Sequence, residues 1–145
     1  MAFGHGKNGV FKLDNAAGAL TDLSAYIDNV DYPEDIEAAE TTTFGVTGGA
    51  KTYIPGLRDA TFSLSGKFDT VLDAHMNGAI NAMMANPPTL ATASYEYGPL
   101  GSATANPKYT GECIITNYSP STPVGDVVTF TVDLQRTGPH TRAAY

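Results

Sequence analysis

The sequence has little of several features that define common classes of protein. Its single cysteine, Cys113, excludes an internal disulfide framework. The longest weakly charged apolar stretch, Met76 to Ala85, is too short and too polar to span a bilayer. Residues Met1 to Val10 include a lysine but no apolar run behind it, so no signal peptide is predicted. We therefore expect a chain that is made in a cytosol and stays soluble, or that leaves by a route the sequence does not encode.

Charge is also scarce and one-sided. Only 16% of the 145 residues are charged, and 15 acids outnumber 8 basic residues, for a net charge of −7. This balance argues against a protein that binds nucleic acid by neutralising phosphates. Eight acids and no Lys or Arg lie between Leu13 and Ala50. That acid-only window is either a solvated acidic face or a surface that repels phosphate, and a single sequence does not separate the two.

Most of the sequence has the residue pattern of β-strands, and its length fits one domain. Apolar and polar residues alternate with a period of two, which is typical of strands with one buried face. A proline at position 33 places one of these segments at a sheet edge or a bulge. The predicted strands are Gly9 to Leu13, Ile27 to Ala38, Ala60 to Phe68, Thr92 to Tyr97, Tyr109 to Tyr118 and Val127 to Leu134.

One helix is predicted, over Asp69 to Ala85. Asp69 or Thr70 can accept hydrogen bonds from the free amides of the first turn, and Asn86-Pro87-Pro88 ends the helix. Its apolar residues recur at spacings of three and four, which predicts one buried stripe packed on a sheet. The stripe comprises Leu72, Met76, Ala79, Ile80 and Met83.

The segment Thr41 to Leu57 is a long connection for a compact domain. It is rich in Gly and Thr, yet it carries apolar side chains that a disordered linker would lack. Two interpretations stay open: a hairpin tip that folds back on its own domain, or an arm that buries these groups on a neighbouring copy. The residues that would make the contact are Thr41, Thr42, Thr43, Phe44, Val46, Lys51, Tyr53, Ile54, Pro55 and Leu57.

No constellation of catalytic or metal-binding residues can be identified. Gly4 to Gly9 matches G-x-G-x-x-G, but a predicted strand follows it where a helix would be needed. The histidines His5, His75 and His140 lack metal-site spacing, and Cys113 lies in an apolar run. No G-x-S-x-G motif is present. We therefore expect no enzyme activity, no cofactor and no metal.

Read as a whole, the chain resembles the tail tube (major tail) proteins of long-tailed, non-contractile bacteriophages, in particular the short versions from phages of actinobacteria. The resemblance is carried by an ordered set of blocks that spans nearly the whole chain, none of which is a chemical signature alone. The blocks are Asp14 to Gly18, Leu20 to Ser24, Ala39 to Gly45, Lys51 to Leu57, Asp59 to Thr61, Tyr95 to Pro99, Gly111 to Cys113 and Val124 to Val128.

The resemblance implies a small β-sandwich or barrel of two packed sheets flanked by one helix, in a single domain over residues 1–145. It also implies copies that form rings, usually of six, which stack into a tube for genome delivery. Thr41 to Leu57 would be the loop that reaches another subunit, and Met1 to Asn8 and Thr137 to Tyr145 would be terminal arms. DNA would pass through an acidic lumen without specific binding. The candidate lumen residues are Asp28, Asp31, Glu34, Asp35, Glu37 and Glu40.

The implied partners are further copies of the chain and the tape measure, tail-tip and terminator proteins of a virion. The chain would be made in the host bacterial cytoplasm and reside in the phage tail. Alternative assignments are a tail terminator, a head–tail joining protein or another small β-rich virion protein. A carbohydrate- or receptor-binding β module is an alternative of a different class, and it would expose aromatic platforms.

Overall fold

The structure is a computed structural model that describes residues 3–145. It contains nine strands, one α-helix and a single-turn 3₁₀ helix, Gly6–Asn8, in that range. No helix within residues 3–145 has the length and apolar character needed to cross a membrane. The elements are β1 (Val10–Asp14), β2 (Leu20–Asp22), β3 (Ile27–Asp31), β4 (Asp35–Glu40), β5 (Tyr53–Asp59), β6 (Thr61–Lys67), α1 (Thr70–Met84), β7 (Ala93–Gly98), β8 (Pro107–Ser121) and β9 (Thr129–Ala144).

Seven strands form one antiparallel sheet, and β4 and β5 form a second, separate sheet. The order in the large sheet is β2-β1-β7-β8-β9-β6-β3. Strands β1 and β6 would be about 19 Å apart if this sheet were flat. The ring of Phe11 on β1 nevertheless lies 6.3 Å from that of Phe62 on β6. The sheet therefore folds over on itself around a core, and the expected class, mainly β with one helix, is confirmed.

The core is lined by the inward residues of β1, β6, β7 and β9 and by one face of α1. Alternation predicts this well, since Phe62 and Leu64 on β6 face Val132 and Leu134 on β9, and all four are buried. The helix buries Leu72, Met76, Ala79 and Ala82. Ile80 and Met83, which the stripe also included, are only half-buried.

The helix begins at Thr70 because Asp69 caps it. One Asp69 carboxylate oxygen, Oδ1, accepts a hydrogen bond from the backbone N–H of Val71 at 2.8 Å. We expect Asp69→Ala to lower the free energy of unfolding by about 1 kcal/mol, because this amide loses its partner. Urea denaturation followed by circular dichroism measures the change. The control is Asn81→Ala on the exposed face of the same helix, which is expected to stay within about 0.5 kcal/mol of the parent. Equal effects of the two changes would contradict the cap.

The structure corrects the prediction of one strand from Ile27 to Ala38. That segment is two strands in different sheets, β3 and β4, with Tyr32-Pro33-Glu34 between them. Pro33 has no backbone N–H to donate to a ladder, so the chain leaves one sheet here and enters the other. The second correction is that Tyr53 to Leu57 belongs to β5, so the loop itself covers only residues 41–52.

The C-terminal segment Thr137 to Tyr145 is not free of the sheet, as a terminal arm would be. Most of it extends β9 alongside β8, with Ala144 opposite Pro107. Tyr145 is held by the turn before β8, where its N–H donates to the carbonyl of Asn106 at 3.0 Å, and by β7, where its hydroxyl donates to Glu96 at 3.1 Å. For the N-terminal arm predicted at Met1 to Asn8, Met1 and Ala2 lie outside the described residues.

Candidate assembly surface

The β4–β5 hairpin, residues 35–59, is the most exposed part of the fold, and we call it the arm. Its strands pair with each other, Asp35 opposite Asp59 and Glu40 opposite Tyr53, with a bulge between Ile36 and Ala38. Every residue of β4 and of β5 is exposed. A two-stranded ribbon is marginally stable in water by itself, so a ribbon exposed on both faces needs a partner surface.

Large apolar side chains are concentrated on the arm. Phe44 at the tip is fully exposed, and Leu57 on β5 is 79% exposed. Tyr53, Ile54 and Ile36 are each more than half exposed. A set of large exposed apolar groups on one element is typical of a surface that other protein covers.

The residues predicted to make the intermolecular contact all lie on this arm. Six of the ten contact candidates belong to the loop 41–52, and the other four lie on β5. The loop is tied at its base, where Thr42 Oγ1 accepts the backbone N–H of Thr52 at 2.9 Å. The sequence interpretation missed Ile36, which is 59% exposed on β4. The sequence feature that could have indicated Ile36 is its position as an apolar residue between two acids, Asp35 and Glu37.

The arm is joined to the body by a cluster of charged and aromatic groups that we call the root network. It consists of Tyr32, Glu34, Arg58, Arg136 and His140. Glu34 accepts two hydrogen bonds from Arg136, at 2.5 and 3.1 Å, and one from Arg58 Nε at 2.8 Å. His140 Nδ1 lies 2.8 Å from Arg136 Nη1 and 2.9 Å from the Tyr32 hydroxyl. The network thus joins β5, and the connection that leads into β4, to β9.

The root network packs against a cluster of aromatic rings on the inner side of the folded sheet. Tyr32 contacts the rings of Phe62 and Tyr95 at centroid distances of 5.2 and 5.8 Å, and its hydroxyl lies 2.5 Å from that of Tyr95. Tyr97 and Tyr109 pack against the same ring at 5.4 Å. Tyr95 is buried and the other three tyrosines are half-buried against one another, so they do not form the exposed aromatic platforms expected of a carbohydrate-binding module.

Burial and neighbouring charges shift the pKa values of the groups in the root network. The hydrogen bonds from Arg136 lower the pKa of Glu34 to about 2. The same pairing raises the pKa of Arg136, whose side chain is only 1% exposed. Burial lowers the pKa of His140 and raises that of Tyr32. At neutral pH the network therefore holds one carboxylate, two guanidinium groups and a neutral imidazole.

The candidate lumen acids fall into two groups. Glu34 belongs to the root network, where two arginines compensate its charge, so it is not an open acidic group. Asp28 lies 3.4 Å from Lys67, and Glu40 lies 3.9 Å from Lys51, both as exposed pairs that are worth little. Asp31 receives only an amide hydrogen bond, from Asn29 at 3.3 Å. Asp35 and Glu37 are exposed on β4.

The histidines, the cysteine and the glycine-rich segment do not form a common catalytic or metal-binding site. Within residues 3–145 no group of three or more His, Cys, Asp or Glu side chains is arranged to hold a metal ion. Cys113 is buried, which raises the pKa of its thiol to about 12. His75 points its Nε2 at the carbonyl of Leu13, at 3.3 Å. Gly4 to Gly9 forms a short turn that leads into β1, so no helix N-terminus follows it.

No protein-family model matches the sequence, and a search of curated protein sequences finds no match. Solved structures are similar to it. A chain from the tail of an empty gene transfer agent particle, refined with C6 symmetry, superimposes with a TM-score of 0.78 at 16% identity, covering 98% of this chain and 100% of that one. The SPP1 tail tube subunit gives 0.67 at 13% identity, covering 99% and 80%.

A third structure with a similar fold comes from an injection system. A chain of the sheath–tube complex of an extracellular contractile injection system gives a TM-score of 0.67 at 11% identity, over 99% of this chain and 93% of that one. The class that these structures and the folded-over sheet define is the tail-tube fold. This chain has that fold.

Proposed function

We propose that the chain is a structural, non-enzymatic subunit that assembles into the tail tube of a phage-type particle. Its copies form rings, six to a ring, that stack into a conduit for genome delivery into the host. The chain is a tail protein of the actinobacterial-phage type, is made in the cytoplasm of its bacterial host, and resides in the virion tail. Its partners there are other copies of itself and the tape measure, tail-tip and terminator proteins.

The observation that carries the proposal is the arm. A ribbon exposed on both faces, with Phe44 and Leu57 open to water, fits a subunit whose partner surface lies on another copy. An arm that contacts a different patch on the next copy makes a heterologous contact, the type that propagates into filaments when it does not close. The C6 symmetry of the gene transfer agent tail supports the ring number.

The proposal also assigns a role to the acidic surface. Asp28, Asp31, Asp35, Glu37 and Glu40 are the candidates for a lumen that does not bind DNA, and Glu34 serves the root network. At −7 per copy, a ring of six carries −42, so self-repulsion must be offset by contacts or cations. Assembly is therefore expected to be favoured by raised ionic strength.

Negative-stain electron microscopy with light scattering tests the function on the purified chain, at rising concentration and ionic strength. Hollow tubes or stacked rings are the expected result. A single closed ring that never stacks would replace the proposal with a terminator or joining protein. If the chain stays monomeric, a preformed tail tip is added as a nucleus, and failure to extend it would contradict the proposal.

A further inference from the structure

The root network has a feature that tail assembly by itself does not require: a histidine inside a buried charge cluster. Arg136 Nη1 lies 2.8 Å from His140 Nδ1. A guanidinium group can only donate hydrogen bonds, so Nδ1 must be the acceptor and the neutral imidazole must carry its proton on Nε2. The hydrogen bond from Arg136 therefore fits the neutral, Nε2-protonated form of His140.

The groups that face this imidazole come from four parts of the fold. Together with His140, these groups carry a formal charge of +1 while His140 is neutral and of +2 once His140 is protonated. They are Tyr32 and Glu34 from the β3–β4 connection, Arg58 from β5, Tyr109 from β8, and Arg136 from β9.

We propose that the root network is a proton-operated lock on the arm, closed while His140 is neutral and opened when His140 binds a proton. A proton on Nδ1 points an N–H at the N–H of Arg136. It also places that N–H within 3.2 Å of Glu34 Oε2, where it competes with Arg136 for the carboxylate. The effect of the lock on assembly rests on the proposed function, whereas the lock itself does not.

The position of Arg136 explains why this competition would move the arm. Its side chain is 1% exposed, and its Nε finds no hydrogen-bond partner among residues 3–145. Loss of Glu34 would leave a buried guanidinium without its carboxylate, which is a strongly unfavourable state. The body is held by a continuous sheet, while the arm meets it at its root, where Gln135 Nε2 on β9 also donates to Asp59 Oδ1 at 2.7 Å. The strain is therefore relieved where Glu34 and Arg58 swing away from β9 and water enters.

The pH range follows from the direction of the shifts. Because burial lowers the pKa of His140 in the folded state, the closed lock is fully stable above the ordinary histidine pKa of 6.5. Its stability falls as the pH drops below 6.5 toward the folded pKa. Glu34, with a pKa of about 2, stays ionised throughout this range. Between pH 8 and 5 the only group in the network that changes charge is His140.

Pulsed electron spin resonance on the dilute, unassembled chain tests the lock. Spin labels are placed on Thr47→Cys at the arm tip and Asn81→Cys on the outer face of α1. The buried Cys113 thiol, with a pKa of about 12, stays unlabelled. We expect one narrow distance distribution at pH 8 and a broad one at pH 5, with a midpoint below 6.5. An unchanged distribution down to pH 5 would overturn the proposal.

Two variants and one titration complete the test. His140→Gln keeps an acceptor oxygen for Arg136 but does not titrate, so its distribution is expected to be equally wide at pH 8 and pH 5. His75→Gln, a second half-buried histidine remote from the arm, is expected to broaden as the parent does. An NMR titration of the His140 ring must give the same midpoint as the broadening, and a mismatch would refute the lock. All three readings concern the monomer, so they stand even if tubes never form.

Discussion

A chain in which Phe44, Ile54 and Leu57 are all changed to serine is expected to fold as the parent does and to lose assembly. Each of these side chains is more than half exposed in the single chain, so its removal leaves the core intact. Full burial of a side chain of this size on a partner contributes roughly 1.5–3 kcal/mol. Loss of all three therefore raises the concentration needed for assembly by about a thousandfold or more.

Sedimentation and electron microscopy across a concentration series measure this effect, with thermal unfolding as a check on the fold. The matched control is Val124→Ser with Val127→Ser, since both valines are exposed in the β8–β9 turn, outside the arm. The control is expected to assemble at the parent's concentration. If the arm variant and the control assemble alike, the arm is not the contact surface.

Glu34→Gln is expected to lower the free energy of unfolding by about 3–5 kcal/mol, the largest effect on stability among the predictions. The substitution keeps the shape of the side chain but removes the charge that compensates Arg136 and Arg58. Breaking a buried pair from one side costs this much because the other charge stays buried and unpaired. Urea denaturation at pH 7 measures the change. Glu37→Gln, on the exposed face of the same arm, is the control and is expected to change stability by less than about 0.5 kcal/mol.

The pH dependence of stability checks the same prediction independently. Glu34 has a pKa below its ordinary value of 4.5, so its contribution is complete above 4.5 and is lost as the pH falls toward 2. The parent should therefore lose stability faster over this range than Glu34→Gln does. Parallel curves for the two chains would mean that Glu34 is not held in its ionised form by Arg136.

Local pattern was enough to predict most of the fold. The α1 helix follows from the Asp69 cap and its apolar stripe, and β6 follows from strict alternation on either side of Phe62 and Leu64. The second half of β9 could not be predicted, because Gly138 and Pro139 are residues that usually end a strand. In the fold Gly138 takes a positive φ of 78° at a bulge, and the strand continues because β8 pairs with it on both sides, Glu112 opposite Thr137 and Thr110 opposite Thr141.

The arm was predicted in part, and the root network was not predicted at all. Apolar residues in a Gly- and Thr-rich connection signalled a segment that needs a partner. The bond between Glu34 and Arg136 joins residues 102 positions apart, and no local spacing encodes it. His140 likewise looked like one of three scattered histidines. Its surroundings are set by the pairing of β9 with β8 and β6, which periodicity does not specify.

The order of the strands also governs when the arm can be fixed during synthesis. Residues 35–59 leave the ribosome early, but the arginine and the histidine that hold their root lie on the last strand. The β8–β9 hairpin closes through contacts near in sequence, whereas β9 must then find β6 across the helix and β7. The arm thus remains unanchored until β9 has been synthesised. A chain that has not yet made β9 therefore carries the arm without the Arg136 and His140 contacts that hold its root.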